Sequence, residues 1–408
     1  MKKIILVRYG EIVLKGLNRP VFEEKLVSNI KKALNGCQDF FISKSQARIF
    51  LEPKHDDIDD ADFTNTIEIL RKVFGIVSLS VVYKVSSEIN EICSKAIEVT
   101  KKILDKNNFQ TFKVETRRGN KNFVLKSPKI CAEVGGSILE SFSHLTVNVI
   151  KPDFIVYVEV REFSYLYSEK IPAYGGMPVG TNSKAMLLLS GGIDSPVAGW
   201  MISKRGVELE AVHFFSYPYT SERAKDKVIE LARIMSLSSY HIKLHVIAFT
   251  DIQVEIRDHC PEDELTIIIR RVMMQIAERI AQQTGCLALI TGESVGQVAS
   301  QTMQSLVCTD EAVSMPVFRP LIGNDKEEVI VLARKIGTFE TSILPYEDCC
   351  TIFVAKHPKT KPAIEAIKRS EMKINIESKV EVAIATREII ILKNGKVIHM
   401  NGENNEGR

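Results

Sequence analysis

Long apolar runs are missing from this chain. No stretch approaches the roughly 18 consecutive apolar residues that a membrane-spanning helix needs. The N-terminal run Ile4-Ile5-Leu6-Val7 stops at Arg8, too soon for a signal peptide, and reads as a first strand. Without span or signal, no membrane partner is expected and a cytoplasmic location is the default. Cysteine is sparse, eight in 408 residues, and no pair has C-x-x-C spacing, which counts against zinc and iron–sulfur sites. Cys37, Cys93, Cys131, Cys260, Cys286 and Cys308 stand alone, and only Cys349 and Cys350 adjoin. Charge of one sign is also lacking. The balance of 54 Lys+Arg against 51 Asp+Glu gives +3, which taken alone says nothing about nucleic acid. The positive excess falls within residues 1–172, so any polyanion-binding bias lies there. There is no Walker A loop, no complete G-x-G-x-x-G fingerprint, no internal repeat and no low-complexity segment. A hydrophobic fraction of 45% and a charged fraction of 26% make disorder an unlikely main theme and suit a globular chain of two to four domains.

What is present is a change of pattern along the chain. Residues 1–60 read as a small α+β unit: a strand at 4–8, a helix over 22–34 and two further strands. The acidic run Asp56 to Asp60 marks a boundary or the cap of the next helix. Residues 61–165 read as an α/β sandwich. Residues 166–180, with Gly175, Gly176, Pro178 and Gly180, read as a linker. From residue 181 to 395 strands and helices alternate, which predicts a doubly wound parallel sheet with ligands at the carboxyl ends of its strands. A polar tail is expected from 396 to 408.

The sharpest feature is Leu187-Leu188-Leu189-Ser190-Gly191-Gly192-Ile193-Asp194-Ser195-Pro196, an apolar strand that turns through glycines into a helix. Gly191 and Gly192 let backbone amides converge on an anion. Ser190 and Ser195 add hydroxyls, Ser195 can cap the helix, and Pro196 suits its first position. The helix amino end then faces the anion. Asp194 is informative, because a carboxylate beside a phosphate is repelled unless a cation lies between them. Mg²⁺ is the ordinary candidate, held by Asp194 indirectly as Mg-ATP.

S-G-G-x-D-S after a strand resembles the pyrophosphate-binding loop of the PP-loop ATP pyrophosphatases, which split ATP between its α- and β-phosphates. Further segments narrow the resemblance. These are Arg8-Tyr9-Gly10-Glu11-Ile12 with Leu14-Lys15-Gly16 and Asn18-Arg19, then Thr111 to Val114 with Arg117, Arg118 and Lys121. Thr291 to Ser294 with Gly296 to Thr302, Arg319 to Gly323 with Lys326, and Pro345 to Cys350 follow. Together they resemble the tRNA 4-thiouridine synthetases of the ThiI type, in order, from about residue 4 to about residue 362. The resemblance implies an N-terminal ferredoxin-like α+β unit, a THUMP α/β domain that binds RNA, and a C-terminal PP-loop domain. It implies adenylation of uridine 8 in tRNA with ATP and Mg²⁺, then sulfur transfer from a persulfide supplied by a cysteine desulfurase, giving 4-thiouridine. It also implies a homodimer that holds the tRNA acceptor end.

Carried over residue by residue, the resemblance gives Leu188, Leu189, Ser190, Gly191, Gly192 and Ser195 to the phosphates. It gives His213, Phe214, Arg270, Gly292 and Gln301 to the rest of ATP, and Asp194, Lys326, Cys349 and Cys350 to catalysis. His213 alone would read as a core histidine, and Lys326 equally as a solvated lysine. Arg270 and Arg271 are adjacent in a helix, so only one is expected to face the site, and the family pattern selects Arg270. Arg8, Lys15, Arg19, Arg117, Arg118 and Lys121 are candidates for RNA phosphates. Family members with a rhodanese domain load the persulfide there. This sequence leaves no room for one, so direct delivery to Cys349 or Cys350 is expected, and the family's link to thiamine thiazole synthesis is in doubt. The competing readings are a non-catalytic tRNA-binding protein and another PP-loop tRNA-modifying enzyme.

Overall fold

The structure is a computed structural model, and it describes residues 3–37, 39–55, 59–346 and 358–400. The chain divides into two compact units, Met1–Gly176 and Met177–Arg408.

The first unit is built on one mixed sheet. Its strands are β1 Lys3–Tyr9, β2 Phe40–Ser45, β3 Arg48–Pro53, β4 Ile76–Val85, β5 Thr111–Arg118, β6 Thr146–Val147, β7 Phe154–Val160, β8 Ser164–Tyr167 and β9 Ile171–Pro172. They run in the order β2-β3-β1-β4-β8-β7-β5-β6, with β9 on β4. Its helices are α1 Arg19–Ala33, α2 Asp60–Leu70, α3 Ile89–Leu104 and α4 Ser127–Ser141. The acidic run before α2 proves to hold a cap: Asp59 accepts from the Asp62 amide and Asp62 reaches back to it, a reciprocal capping box. β4 pairs antiparallel with β1, so one sheet continues across residue 60. The segment expected as a linker begins with the end of β8 and β9, and is laid onto β4 by Ala173 N–H donating to the Val77 carbonyl at 2.9 Å.

Strand alternation sorts this sheet into two faces. Tyr9 meets Arg19 and Glu23 of α1, and Lys3 meets Asp60 and Phe63 of α2. Val156, Val158, Val160 and Leu166 pack on α3 and α4. All four helices therefore share one face. Arg8, Arg48, Tyr157, Glu159, Tyr165 and Tyr167 belong to the other, which carries no helix of this unit among the described residues.

The second unit has a sheet ordered β14-β13-β10-β11-β12-β15-β16. Here β10 is Lys184–Leu188, β11 Glu208–Phe215, β12 His241–Ala248, β13 Cys286–Ile290, β14 Val317–Phe318, β15 Glu388–Lys393 and β16 Lys396–Met400. The first five are parallel, and β15 and β16 close the edge antiparallel. Helices α5 Asp194–Ser203, α6 Glu222–Ser239, α7 Thr250–His259, α8 Leu265–Thr284, α9 Met303–Asp310, α10 Lys326–Ile336, α11 Phe339–Ser342, α12 Ile364–Glu371 and α13 Glu377–Ala385 complete it. One core joins the sheet to α7, α8, α12 and α13, and a second joins its other face to α5, α6 and α10. That is the doubly wound arrangement expected. The tail expected from 396 opens with β16, turned by Asn394 and Gly395, both at positive φ (48° and 75°). Asn-Gly at a two-residue hairpin is the signal the sequence carried for it.

Successive strands run outward from β10 through β11 to β12, and the chain then returns to place β13 on the opposite side of β10. The crevice between the carboxyl ends of β10 and β13 is the topological switch point, where open α/β sheets hold their ligands.

Candidate nucleotide site and basic sheet face

The S-G-G-x-D-S loop leaves β10 at this crevice. Its two serines close it. The Ser190 amide donates to the Ser195 hydroxyl at 3.0 Å, and the two hydroxyls lie 3.1 Å apart. The Gly192 amide donates to Ser190 Oγ at 3.3 Å. This corrects the expected cap. The helix begins at Asp194 with Ile193 as its cap residue and no side-chain cap, because Ser195 is spent on the loop. Pro196 falls third in the helix, where an amide has no intrahelical partner to lose.

Asp194 opens α5, and the structure brings it to Lys326. Lys326 Nζ donates to Asp194 Oδ1 at 2.7 Å, and Gln297 Nε2 donates to Oδ2 at 2.8 Å. Lys326 is the first residue of α10, whose start is fixed by an Asp325–Glu328 capping box. Gln297 was missed by sequence reasoning, although it lies within the quoted Gly296–Thr302 run.

Gly292, just past β13, has a different reason from the one expected. A Cβ there would lie 2.7 Å from the Ser195 amide nitrogen and 2.8 Å from the Asp194 carbonyl carbon. The missing side chain admits the first turn of α5, and so holds the loop against β13. His213 in β11 is buried, with Nδ1 3.1 Å from the Leu189 carbonyl, beneath the strand end that feeds the loop. The Phe214 side chain packs edge-on to Phe249 in the core at 5.0 Å, so it can offer a ligand only backbone. Leu189 is buried as well, and Leu188 is partly so.

The two adjacent arginines of α8, Arg270 and Arg271, separate cleanly. Arg271 is buried and bound to Glu371 of α12 and to Glu311, just past α9. Arg270 donates to Ser300 Oγ at 2.9 Å and to the buried Glu293. Arg319 Nε reaches the same Glu293 at 2.7 Å, and Thr291 Oγ1 donates to it at 2.8 Å. Gln301 accepts from the Ser294 amide at 3.3 Å, while its carbonyl accepts from the Gly296 amide at 3.0 Å. Glu293, Ser300 and Arg319 were not singled out from sequence. Cys349 and Cys350 lie outside the described residues.

A second concentration of chemistry lies on the helix-free face of the first unit. A concavity of about 450 Å³ is lined by Arg8, Arg48, Arg117, Tyr157, Tyr167 and Lys170, together with Glu115, Glu159 and their neighbours. Arg8 donates to Ser80 Oγ at 2.9 Å and lies over the Tyr167 ring. Buried Glu159 is ringed by Arg8, Arg48 and Arg161 at 3.5, 3.6 and 3.3 Å. Burial works to raise its carboxyl, but Arg48, Arg8 and Arg161 outweigh that and hold it below the usual glutamate range. Burial depresses Arg48, and Arg161, Arg117 and Arg8 add to this, since one carboxylate cannot neutralise so many cations. The other basic candidates disperse. Arg19 pairs with Glu23 at 2.6 Å on the opposite face, and Lys15 lies over Phe22. Arg118 is spent on the Phe123 and Leu125 carbonyls at 3.1 and 3.2 Å, stapling its own loop. Lys121 is exposed. Arg48, Tyr157 and Lys170 are additions that sequence spacing could not supply, because β3, β7 and the turn before β9 meet only in the folded sheet.

Residues 4–80 match the ThiI ferredoxin-like domain, 86–169 the THUMP domain, and 180–376 the thiamine biosynthesis protein (ThiI) family. A probable tRNA sulfurtransferase of Acetivibrio thermocellus is 60% identical over 96% of this chain and 99% of its own. The chain belongs to the ThiI family of tRNA sulfurtransferases. A second such relative, from Lachnoclostridium phytofermentans, is 52% identical over 96% of this chain and 100% of its own. A solved 4-thiouridine synthetase, in complex with RNA and with bound ATP, superposes with TM-score 0.87 at 38% identity, covering 96% and 100% of the two chains. A Pyrococcus horikoshii protein, 23% identical with TM-score 0.61 over 82% and 99%, shares the fold. The ThiI-type resemblance and the fold class read from sequence are thereby borne out. Among the described residues no helix is long and apolar enough to cross a membrane.

Proposed function

We propose that this chain is an ATP-dependent tRNA sulfurtransferase that adenylates uridine 8 and replaces its C4 oxygen by sulfur. The observation that carries the reading is the S-G-G-x-D-S loop held at the switch point, with Asp194 bridged to Lys326 at 2.7 Å. Uridine O4 attacks the α-phosphate of ATP and pyrophosphate leaves. Such a step asks for positioning and charge neutralisation rather than covalent help from the protein. The amides of Gly191 and Gly192, with the Ser190 and Ser195 hydroxyls and the start of α5, form the pyrophosphate cradle. Arg270 and Lys326 supply positive charge. Leu188, Leu189, Phe214, Gly292 and Gln301 line the nucleotide through backbone and amide, and His213 supports the Leu189 carbonyl.

Among the described residues no group of three or more His, Cys, Asp and Glu forms a metal cage. A lone carboxylate at a phosphate cradle fits Mg²⁺, which binds through one or two carboxylates plus substrate phosphates. Asp194 would hold it, and the ion would supply charge neutralisation on the triphosphate. A cysteine desulfurase delivers sulfur as a persulfide to Cys349 or Cys350. Its outer sulfur attacks C4 and displaces AMP. A second thiol then breaks the S–S bond, releasing 4-thiouridine and leaving a disulfide that excess cysteine or another thiol reductant reopens. The tRNA acceptor end is taken by the helix-free basic face, where Arg8 and Arg117 join Arg48, Lys170, Tyr157 and Tyr167. Aromatic rings interleaved with cations suit single-stranded nucleotides. Lys15, Arg19, Arg118 and Lys121 are peripheral by this reading. A cytoplasmic homodimer completes it.

Purified protein with ATP, Mg²⁺, cysteine, a cysteine desulfurase and unmodified tRNA should release AMP and pyrophosphate, and 4-thiouridine should appear at position 8 by mass analysis. AMP release that ignores tRNA, or sulfur at another position, rejects the proposal. Cys349→Ser and Cys350→Ser, made singly, identify the sulfur acceptor. Full activity in both variants rejects a single essential thiol.

A further inference from the structure

We propose that Glu293 is a positioning residue for ATP, holding the Arg270 guanidinium at the nucleotide crevice through a buried Arg270–Glu293–Arg319 cluster. The inference rests on reading Arg270 as an ATP contact.

Glu293 sits one residue beyond Gly292, whose would-be Cβ lies 2.7 Å from the Ser195 amide nitrogen. Its backbone is therefore registered against the first turn of α5 and the phosphate loop. Its side chain is only 5% exposed. That carboxylate accepts from three donors: Arg270, Arg319 Nε at 2.7 Å and Thr291 Oγ1 at 2.8 Å. Burial pushes this carboxyl up, and Arg270 and Arg319 outweigh it, so it stays ionised. A buried carboxylate with two arginines and a hydroxyl is a fixed anchor, since charge-assisted bonds to the planar guanidinium set its direction as well as its place.

The count of charges also matters. A carboxylate paired with Arg270 alone would cancel the charge that phosphates need. Arg319 shares that carboxylate, so Glu293 is not spent on Arg270 alone. The outer nitrogen of Arg319 is tied at 2.6 Å to Asp310, which is half exposed and screened by solvent. Arg270 keeps a second tether, to Ser300 Oγ at 2.9 Å, which links it to the loop holding Gln297 and Gln301. Glu293 thus joins three segments that must agree for ATP to bind: the phosphate loop, α8 and the 294–301 loop. It touches no reacting atom itself.

The test is a cycle of Glu293→Gln and Arg270→Ala read by steady-state AMP release. Losing one charge-assisted bond predicts a KM for ATP raised about tenfold in Glu293→Gln, with a smaller fall in kcat and unchanged tRNA affinity. In the Arg270→Ala background Glu293→Gln should add no further change in KM. Independent, multiplying losses mean a general structural role and overturn the proposal. If Arg270→Ala leaves the KM for ATP unchanged, the site reading itself fails and the proposal falls with it. If Arg270→Ala raises KM and Glu293→Gln does not, only the proposal falls. Should Glu293→Gln fail to fold, Thr291→Val removes one hydroxyl donor to the same carboxylate. It should raise KM about threefold with Arg270 present and not at all without it. No change in either background overturns the proposal.

Discussion

At the scale of single residues, two carboxylates do opposite work. Asp194 stands at the mouth of the phosphate loop, 20% exposed, and its partners Lys326 and Gln297 approach from separate segments. Removing it should abolish the nucleotide step without touching RNA. Asp194→Ala is expected to lower tRNA-dependent AMP release by about 100-fold or more, a size typical of losing one preorganised charge contact. Filter binding should show tRNA affinity unchanged, because the basic face lies in the other unit. Glu159, by contrast, is a structural charge. Its folded pKa is depressed, so its stabilisation is fully present above the unfolded value near 4.3 and is lost as pH falls through the folded value. Glu159→Gln should erase that acid-side loss in thermal melts. At neutral pH it should destabilise by about 3 kcal/mol, since Arg8, Arg48 and Arg161 would lose their common counter-charge. A variant melting like wild type at pH 7 would show that these arginines find other partners.

At the scale of elements, strands bounding the nucleotide site were readable because their chemistry is local. A fully apolar β10 followed by Ser-Gly-Gly announces strand, turn and helix, and Arg270 and Arg271 were read as lying in a helix, as they do in α8. Elements set by tertiary context were not. β8 is four buried residues, and β14 and β9 are two residues each; such short strands carry no period to detect. The start of α5 was misread because a serine before a helix usually caps it, whereas here its hydroxyl closes the loop. Site partners from different elements were illegible for the same reason. Glu293 and Arg270 are 23 positions apart, and nothing in either segment announces the other. The start of α10 allows a test at this scale. Asp325 and Glu328 cap each other's amides and thereby fix the turn that carries Lys326. Asp325→Ala should cost about 1 kcal/mol in chemical denaturation. It should also lower AMP release, because Lys326 loses its fixed start. If stability falls and AMP release does not, Lys326 finds Asp194 without the cap.

At the scale of the whole molecule, the chain separates two electrostatic tasks that its net charge of +3 conceals. At the nucleotide crevice of the second unit charges are paired internally, Arg270 and Arg319 with Glu293 and Lys326 with Asp194. The first unit leaves a surplus of arginine and lysine on a sheet face that none of its described helices covers, among the rings of Tyr157 and Tyr167. An uncovered sheet face normally exposes alternating polar side chains at random; this one gathers Arg8, Arg48, Arg117 and Lys170 around a single concavity. Binding a polyanion there releases counterions, so affinity must fall with salt in proportion to the phosphates neutralised. Lys170→Gln and Arg117→Gln should each weaken tRNA binding and reduce the slope of log K against log salt by about one contact. Neither change should alter the KM for ATP. Arg118→Gln serves as the contrast, because that side chain already binds the Phe123 and Leu125 carbonyls at 3.1 and 3.2 Å. It should lower stability and leave the salt slope as it was. Equal slopes for all three variants would move the RNA off this face, and a changed slope for Arg118→Gln alone would place it on the loop that Arg118 staples.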